Sequence, residues 1–224
     1  MGWQADGGHV DTIAVLGTGR VGTAVARIAL DAGYAVHVAA SGAASEIELL
    51  AEIMTPGARA MTAADAAREA DIVVLAVPLH KYRNVDPAPL AGKIVIDALN
   101  YWAPVDGVID EFEGRGLSTS EIVAEHFTHS RMVKTLNHIG YHEMEEDRLP
   151  SGMPGRRALA VASDDSEAAE QVRGMLDRFG FDALHSGPLV TGRAFEAGTP
   201  IFNGSFTAEE LRKELSTSVA ALAR

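Results

Sequence analysis

Short apolar segments alternate with longer amphipathic ones along the first half of the chain. The short ones are rich in β-branched residues, which is typical of strands buried on both faces of a sheet; they are residues 12–16, 35–39, 71–77 and 93–97. Helical spacing of apolar positions marks residues 21–32 and 47–54, and a third, short helix follows Thr62, which could cap it. The alternation predicts an α/β fold with a mostly parallel, doubly wound sheet.

The pattern changes after Asn100. A loop rich in Pro, Gly and acidic residues covers 103–116, and Ser118 or Thr119 could cap the helix that follows it. Later elements are predicted as a strand at 131–136, a strand at 157–162, a helix at 164–179, a strand at 183–185 and a helical tail at 207–223. We therefore expect a Rossmann domain over residues 10–136 and a small α/β C-terminal domain for substrate binding and dimerisation over 137–224.

Composition narrows the function classes. The formal net charge of −12 disfavours nucleic acid and anionic membranes as partners. No apolar run reaches the roughly 18 residues that span a bilayer, so we expect a cytoplasmic protein with a small-molecule partner. The chain has no cysteine, which excludes disulfides, thiolate metal sites and a cysteine nucleophile. We expect no metal site.

A glycine turn follows the first predicted strand and precedes the first predicted helix. Its sequence is Gly17-Thr18-Gly19-Arg20-Val21-Gly22. The first glycine permits the tight turn, the second lets the backbone approach a pyrophosphate, and the third lets helix and strand pack closely. Because the strand and helix context is also present, the turn predicts dinucleotide binding.

The end of the second strand bears on the choice between the two nicotinamide nucleotides. An Asp or Glu there would hydrogen-bond the adenosine ribose of NAD, but the chain has Ala40-Ser41-Gly42. Ser41 and Gly42 could accept a 2′-phosphate through hydroxyl and backbone N–H groups, although no Arg stands beside them. We therefore expect NADP, with NAD as the alternative.

The ends of the next two strands should line the crevice where a nicotinamide lies. Candidate contacts are Ala76, Val77, Pro78 and His80 after one strand, and Ala98 and Asn100 after the other. Val77 and Pro78 could equally mark the end of a strand, and His80 could be an exposed loop residue. Asp97 is expected to order the turn that follows it.

Several short motifs, spread over nearly the whole chain, carry a resemblance to a known family. The strand motifs are Ile13–Gly19, Asp71–Pro78 and Gly92–Asp97; more specific are Ser118–Glu125 and Val133–Asn137, and then Ala162–Asp165, Gly180–Asp182, Gly187–Leu189, Arg193, Glu196 and Pro200. With these motifs the chain resembles the NADPH-dependent reductases of the deazaflavin coenzyme F420, also called F420-dependent NADP oxidoreductases. The resemblance implies a homodimer that exchanges hydride between nicotinamide C4 and deazaflavin C5.

The resemblance also implies a role for Asn137, whose amide could hydrogen-bond the deazaflavin ring or could simply order a turn. With His138 it forms our predicted catalytic pair. Reduction of a small carbonyl or imine is the alternative function, and it needs a proton donor, for which Lys134, His138, Tyr141 and His142 are candidates. A protein that senses NAD(P) without turnover is the third possibility.

Two further features leave the hydride partner open. The segment 138–147 is strongly acidic, so it would either repel an anionic cofactor or form a solvated helix face. Tyr101 and Trp102 follow Asn100; they could stack on a flat substrate ring or cover apolar surface.

Overall fold

The computed structural model describes residues 10–222. Its eight strands form one sheet in the order β3-β2-β1-β4-β5-β6-β7-β8. The strands are β1 Thr12–Leu16, β2 Ala35–Ala39, β3 Arg59–Ala60, β4 Ile72–Leu75, β5 Ile94–Asp97, β6 Arg131–Lys134, β7 Ala158–Ala162 and β8 Asp182–Gly187. The α-helices are α1 Arg20–Asp31, α2 Glu48–Met54, α3 Ala63–Glu69, α4 Ala103–Asp106, α5 Thr119–Ala124, α6 Glu143–Glu146, α7 Ser166–Phe179 and α8 Ala208–Leu222.

The first six strands are all parallel, which confirms the predicted Rossmann sheet. β4 and β5 are buried along their whole length, because helices cover both faces of the sheet. The predicted strand at 71–77 is shorter in the structure, since the chain leaves the ladder after Leu75. β3 was not predicted; it has only two residues, and one of them is an exposed arginine.

Two predicted helix caps are present in the structure. Thr62 accepts the backbone N–H of Asp65 at the start of α3. Of the two residues considered for α5, Ser118 is the cap: its side chain accepts the N–H of Glu121, whose carboxylate accepts the N–H of Ser118 in return. This reciprocal pair fixes where α5 begins.

The C-terminal part continues the same sheet but reverses its direction. β7 is antiparallel to β6 and meets it where both strands end, at Lys134 and Ala162. Beyond that point β7 lies beside the chain that leaves β6, where Thr135 Oγ1 donates to the carbonyl of Ala160 over 2.8 Å. β7 and β8 therefore project past the carboxyl edge of the parallel strands. The boundary at residue 137 stays a prediction.

Three apolar clusters hold the layers together. One lies between the sheet and helices α1 and α7, a second packs α3, α5 and the segment 79–84 on the opposite face, and a third joins α8 to β7. The longer helices α1, α7 and α8 and the short helices α3 and α5 thus cover the sheet on both faces, as in other layered α/β proteins. Among residues 10–222, no helix is both long and apolar enough to cross a bilayer.

Candidate functional site

A cleft of about 890 Å³ opens at the carboxyl edge of β1, β2 and β4. Ten of the predicted cofactor-binding residues line it: Gly17, Thr18, Gly19, Arg20, Val21, Ser41, Gly42, Ala76, Val77 and Pro78. Four do not: Gly22, His80, Ala98 and Asn100. Lys81 and Tyr141 line the cleft but were not predicted as cofactor contacts.

The three glycines of the turn are required for different reasons. A Cβ on Gly17 would collide with the carbonyl of Ala76, and one on Gly22 would collide with the carbonyl oxygen of Gly17. These two positions are therefore restricted by the protein's own backbone. A Cβ on Gly19 would meet no protein atom within 4 Å. The space over Gly19 is open to the cleft, so a ligand that approaches the backbone closely explains this glycine best.

Helix α1 begins next to that open space. Gly19 is its N-cap and offers no side chain to the first turn, which contains no acidic residue. The first N–H groups of a helix have no partner within the helix, and they carry the positive end of its dipole. This end of a twelve-residue helix therefore fits an anionic group such as a pyrophosphate.

Arg20 and Tyr141 close one side of the cleft. Nη1 of Arg20 donates to the phenolic oxygen of Tyr141 over 3.2 Å, and its guanidinium lies 5.5 Å from the ring centroid. Tyr141 belongs to the segment that follows β6, so the pair joins the glycine turn to the C-terminal part. Lys81 adds a second cation, from the segment after β4.

The turn after β2 contains an acidic residue that sequence reasoning missed. The carboxylate of Glu46 lies against the Cα of Gly42, since a Cβ there would collide with Oε2 and lie 3.2 Å from the carboxyl carbon. The sequence analysis considered only the strand end, and Glu46 comes seven residues after Ala39. A search of the whole turn for a carboxylate would have found it.

Asn100 and Asn137 pair at the carboxyl ends of β5 and β6. Nδ2 of Asn100 donates to the carbonyl of Asn137 over 2.7 Å, and Nδ2 of Asn137 donates to Oδ1 of Asn100 and to the carbonyl of Phe195. Leu136, just before the pair, has a φ of 64°, a left-handed conformation that is uncommon for a bulky residue. A strained backbone conformation thus lies directly beside the paired amides.

His138 is buried behind this pair. Its Nε2 accepts the backbone N–H of Ala160 over 3.0 Å, so Nδ1 carries the proton and donates to Oδ1 of Asn137 over 3.2 Å. Burial, together with the charges of Arg157 and Lys134, lowers the pKa of His138 to about 3. The imidazole is therefore neutral and engaged on both sides.

These contacts bear on the predicted catalytic pair, which stays a prediction. The amide of Asn137 uses both its N–H groups and its oxygen within the protein, and His138 is a neutral imidazole near pH 7 whose single N–H is donated to Asn137. We therefore treat Asn137 and His138 as positioning residues. Asn100 is partly exposed, and its amide retains one N–H for an external partner.

Lys134 is fully buried and forms an ion pair. Its ammonium lies 3.3 Å from Oδ2 of Asp97 and donates to the carbonyl of Leu99. Asp97 also accepts from the hydroxyl of Ser120 and from the N–H of Leu99. Asp97 does order the turn after β5, as expected, and it also neutralises a lysine that we considered as a proton donor.

Arginines neutralise much of the acidic segment. Glu145 pairs with Arg27 of α1, and Asp147 lies 2.6 Å from the buried guanidinium of Arg157. Glu143 accepts the N–H of Gly140. The segment is therefore not a freely solvated face, and its repulsion of an anionic ligand is smaller than its sequence suggests.

Tyr101 and Trp102 have different surroundings. Tyr101 stacks on Phe112 with centroids 5.3 Å apart, and its hydroxyl donates to Glu113 over 2.5 Å. It thus closes the loop that follows β5. The Trp102 side chain is half exposed and is free to stack on a ligand.

Comparison with known proteins bears on this geometry. Residues 12–101 match the sequence profile of a family described as NADP oxidoreductase, coenzyme F420-dependent. These residues belong to that family. The F420-dependent oxidoreductase match runs from the start of β1 to Tyr101 and includes most of the cleft. It confirms the resemblance, and it assigns residues 12–101 to a family of NAD(P)-dependent oxidoreductases.

Several solved structures resemble this chain over most of its length. A hypothetical protein from Sinorhizobium meliloti is 25% identical with a TM-score of 0.76, covering 88% of this chain and 95% of that one. A protein from Arthrobacter sp. FB24, provisionally described as an F420-dependent NADP reductase, is 25% identical with a TM-score of 0.70, covering 83% and 88%. A 3-hydroxyisobutyrate dehydrogenase from Mycobacterium tuberculosis shares the fold at 20% identity and a TM-score of 0.59, covering 83% and 57%. No curated protein sequence matches.

Proposed function

We propose that this protein transfers hydride between a nicotinamide nucleotide and a deazaflavin or flavin-type partner such as coenzyme F420. The family of residues 12–101 and the provisional description of the Arthrobacter protein both support such a partner. When bound, the nicotinamide supplies a hydride from its C4, the deazaflavin accepts it at C5, and one proton comes from water. Such a transfer depends mainly on holding two rings at reactive distance.

The chain's own groups fit the nucleotide. The first turn of α1 and the open space at Gly19 hold the pyrophosphate, and Arg20 adds a positive charge. Val77 and Pro78 form the wall against which the nicotinamide end lies, and Ser41 and Gly42 border the adenosine ribose. These assignments follow the order in which the strands of a Rossmann sheet meet a dinucleotide.

The observation that carries the proposal is the state of the candidate proton donors. Reduction of a carbonyl or imine needs a donor in the cleft, whereas hydride transfer between two rings can take its proton from water. Lys134 is buried against Asp97, and His138 is buried and neutral. His142 is exposed and does not line the cleft. Three of the four candidates are therefore unsuited to that role.

Tyr141 is the observation in favour of the alternative function. Its hydroxyl is in the cleft and receives a hydrogen bond from Arg20, which suits a proton donor for a small carbonyl or imine substrate. The two functions therefore differ in how they depend on this one hydroxyl. Tyr141→Phe removes the proton and keeps the ring.

The experiment combines substrate choice with this variant. The wild type is mixed with NADPH or NADH and with oxidised F420, FMN or a panel of small ketones and imines, and absorbance is followed. We expect loss of the deazaflavin or flavin band in step with nicotinamide oxidation, and at most a fewfold change in Tyr141→Phe. Turnover of a ketone or imine that falls about a hundredfold or more in Tyr141→Phe would establish the alternative. Nucleotide binding without turnover of any acceptor would indicate the NAD(P) sensor.

We also propose a cytoplasmic homodimer without nucleic-acid or membrane partners. Exposed apolar side chains on α2, Leu49 and Ile53, are compatible with burial in a protein contact. Sedimentation equilibrium over a range of concentrations tests the proposal, and a mass of one chain throughout would refute it.

A further inference from the structure

The turn after β2 borders the adenosine ribose and carries an unpaired carboxylate. Glu46 lies in the short helix Ala44–Glu46, and its side chain folds back onto Gly42, a residue of the cleft wall. A side chain at position 42 would displace this carboxylate from its place against the turn. Within residues 10–222, no cation or hydrogen-bond donor contacts the side chain of Glu46, so its charge is available to a ligand.

The neighbouring wall offers no positive charge to offset it. The other lining residues at this end are small and uncharged: Ala39, Ala40, Ser41, Ala63 and Ala64. Arg59 on the neighbouring strand β3 pairs with Glu69. Like Arg59, Glu46 is exposed and is not itself among the residues that line the cleft; it reaches the wall through its contact with Gly42. The two cations of the cleft belong to other elements, Arg20 to α1 and Lys81 to the segment after β4.

We propose that Glu46 is the specificity-determining residue at the adenosine ribose, and that it favours the ribose diol of NAD(H) over the 2′-phosphate of NADP(H). The proposal rests on the proposed binding of a nicotinamide nucleotide in this cleft. A carboxylate accepts hydrogen bonds from ribose hydroxyl groups, as an acidic residue at the end of the second strand does in NAD-binding Rossmann domains. A 2′-phosphate in the same place would bring a second negative charge to a carboxylate that has no partner.

This assignment reverses our expectation of NADP and differs from the nucleotide in the family's description. That expectation rested on the missing acid at Ala40. In the structure, the carboxylate reaches the same turn from a position further along the chain, because Gly42 allows close approach. The chain thus has an acidic ribose contact without the usual strand-end position.

Equilibrium binding of NADPH and NADH, followed by nicotinamide fluorescence, tests the assignment without any second substrate. We compare the wild type with Glu46→Gln and with Glu48→Gln, a matched control. Glu48 is exposed and two residues away, and the atoms nearest a Cβ at position 42 all belong to Glu46. We expect the wild type to bind NADH more tightly than NADPH. In Glu46→Gln, NADPH affinity should rise about tenfold and NADH affinity should fall about threefold, effects of the size expected for a partly solvated charge.

Glu48→Gln should leave the ratio of the two affinities within about twofold of the wild type. Three results would overturn the assignment: tighter NADPH binding by the wild type, an unchanged ratio in Glu46→Gln, or an equal change in Glu48→Gln. In these cases the cleft still binds a nucleotide and the proposed function stands. Absence of binding by either nucleotide would instead refute the premise that both proposals share.

Discussion

Gly19 and Gly22 lie in one turn, but the structure predicts opposite consequences for their replacement. Val at position 19 would meet no protein atom near its Cβ, and the local φ of −78° is ordinary for any residue. Loss of a glycine also lowers the entropy of the unfolded chain, so the free energy of unfolding should change by no more than about 1 kcal/mol. The Val side chain would fill the space where a pyrophosphate approaches the backbone.

The loss of nucleotide binding should be large. Hydrogen bonds from N–H groups to a charged phosphate contribute roughly 1.5–3 kcal/mol each, and a displaced pyrophosphate loses at least one of them together with its place at the helix end. We therefore expect affinity for both nucleotides to fall about a hundredfold or more in Gly19→Val. Gly22→Ala should behave differently, because its Cβ would lie 2.9 Å from the carbonyl carbon of Gly17. It should lose about 1–3 kcal/mol of stability.

The assay pairs urea denaturation with fluorescence titration of each nucleotide. Gly174→Val is the matched control, since Gly174 is exposed on α7 and its Cβ would also meet nothing within 4 Å. It should change stability modestly and leave nucleotide affinity unaltered. The reasoning fails if Gly19→Val binds nucleotide normally, or if it is destabilised as strongly as Gly22→Ala.

Three further predictions follow from the buried and cleft-lining charges. Lys134→Met should cost about 3–5 kcal/mol, because it leaves the Asp97 carboxylate buried without its cation, whereas Lys213→Met, in an exposed pair, should cost less than about 0.5 kcal/mol; urea denaturation measures both, and equal effects would contradict the argument. Folding lowers the pKa of His138 to about 3, so between pH 6.5 and 3 the unfolded chain binds one more proton than the folded one, and the free energy of unfolding falls by up to about 1.4 kcal/mol per pH unit as the pH decreases. The free energy of unfolding, measured from pH 7.5 to 4.5, should depend less on pH in His138→Gln, and an unchanged slope would show that another group titrates. Arg20→Gln should weaken nucleotide binding about three- to tenfold and reduce its salt dependence; an unchanged affinity would remove Arg20 from the site.

The sheet was largely predictable from sequence, because seven of its eight strands leave a local pattern. β1 and β2 have the predicted bounds, since apolar runs flanked by a glycine turn and by a helix mark both ends. β3 left no such pattern, and its two residues form a strand only because β2 offers them a partner. The offset of β7 against β6 is a tertiary feature that no local pattern encodes.

The candidate site was less predictable, because burial decides what a polar residue does. His138 and Asn137 are residue types that often serve in catalysis. Here they bond to each other and to the backbone of Ala160 and Phe195, which are distant in sequence, so the sequence could not show that their polar groups are already used. Glu46 was missed because it lies seven residues after the strand end, and its nearness to the cleft wall depends on a contact with Gly42. The glycine turn was predictable because its three roles depend on local backbone geometry.

The offset between β6 and β7 has a consequence for how the C-terminal strands could be repositioned relative to the rest of the sheet. The two strands meet only at Lys134 and Ala162, so the ladder between them contains a single pair of residues. A slip of two residues would preserve which side chains face each layer, and it would move the C-terminal unit by about 7 Å relative to the glycine turn. Such a slip would change the distance between β7 and the cleft at the glycine turn, while the parallel strands β1 to β6 keep their register.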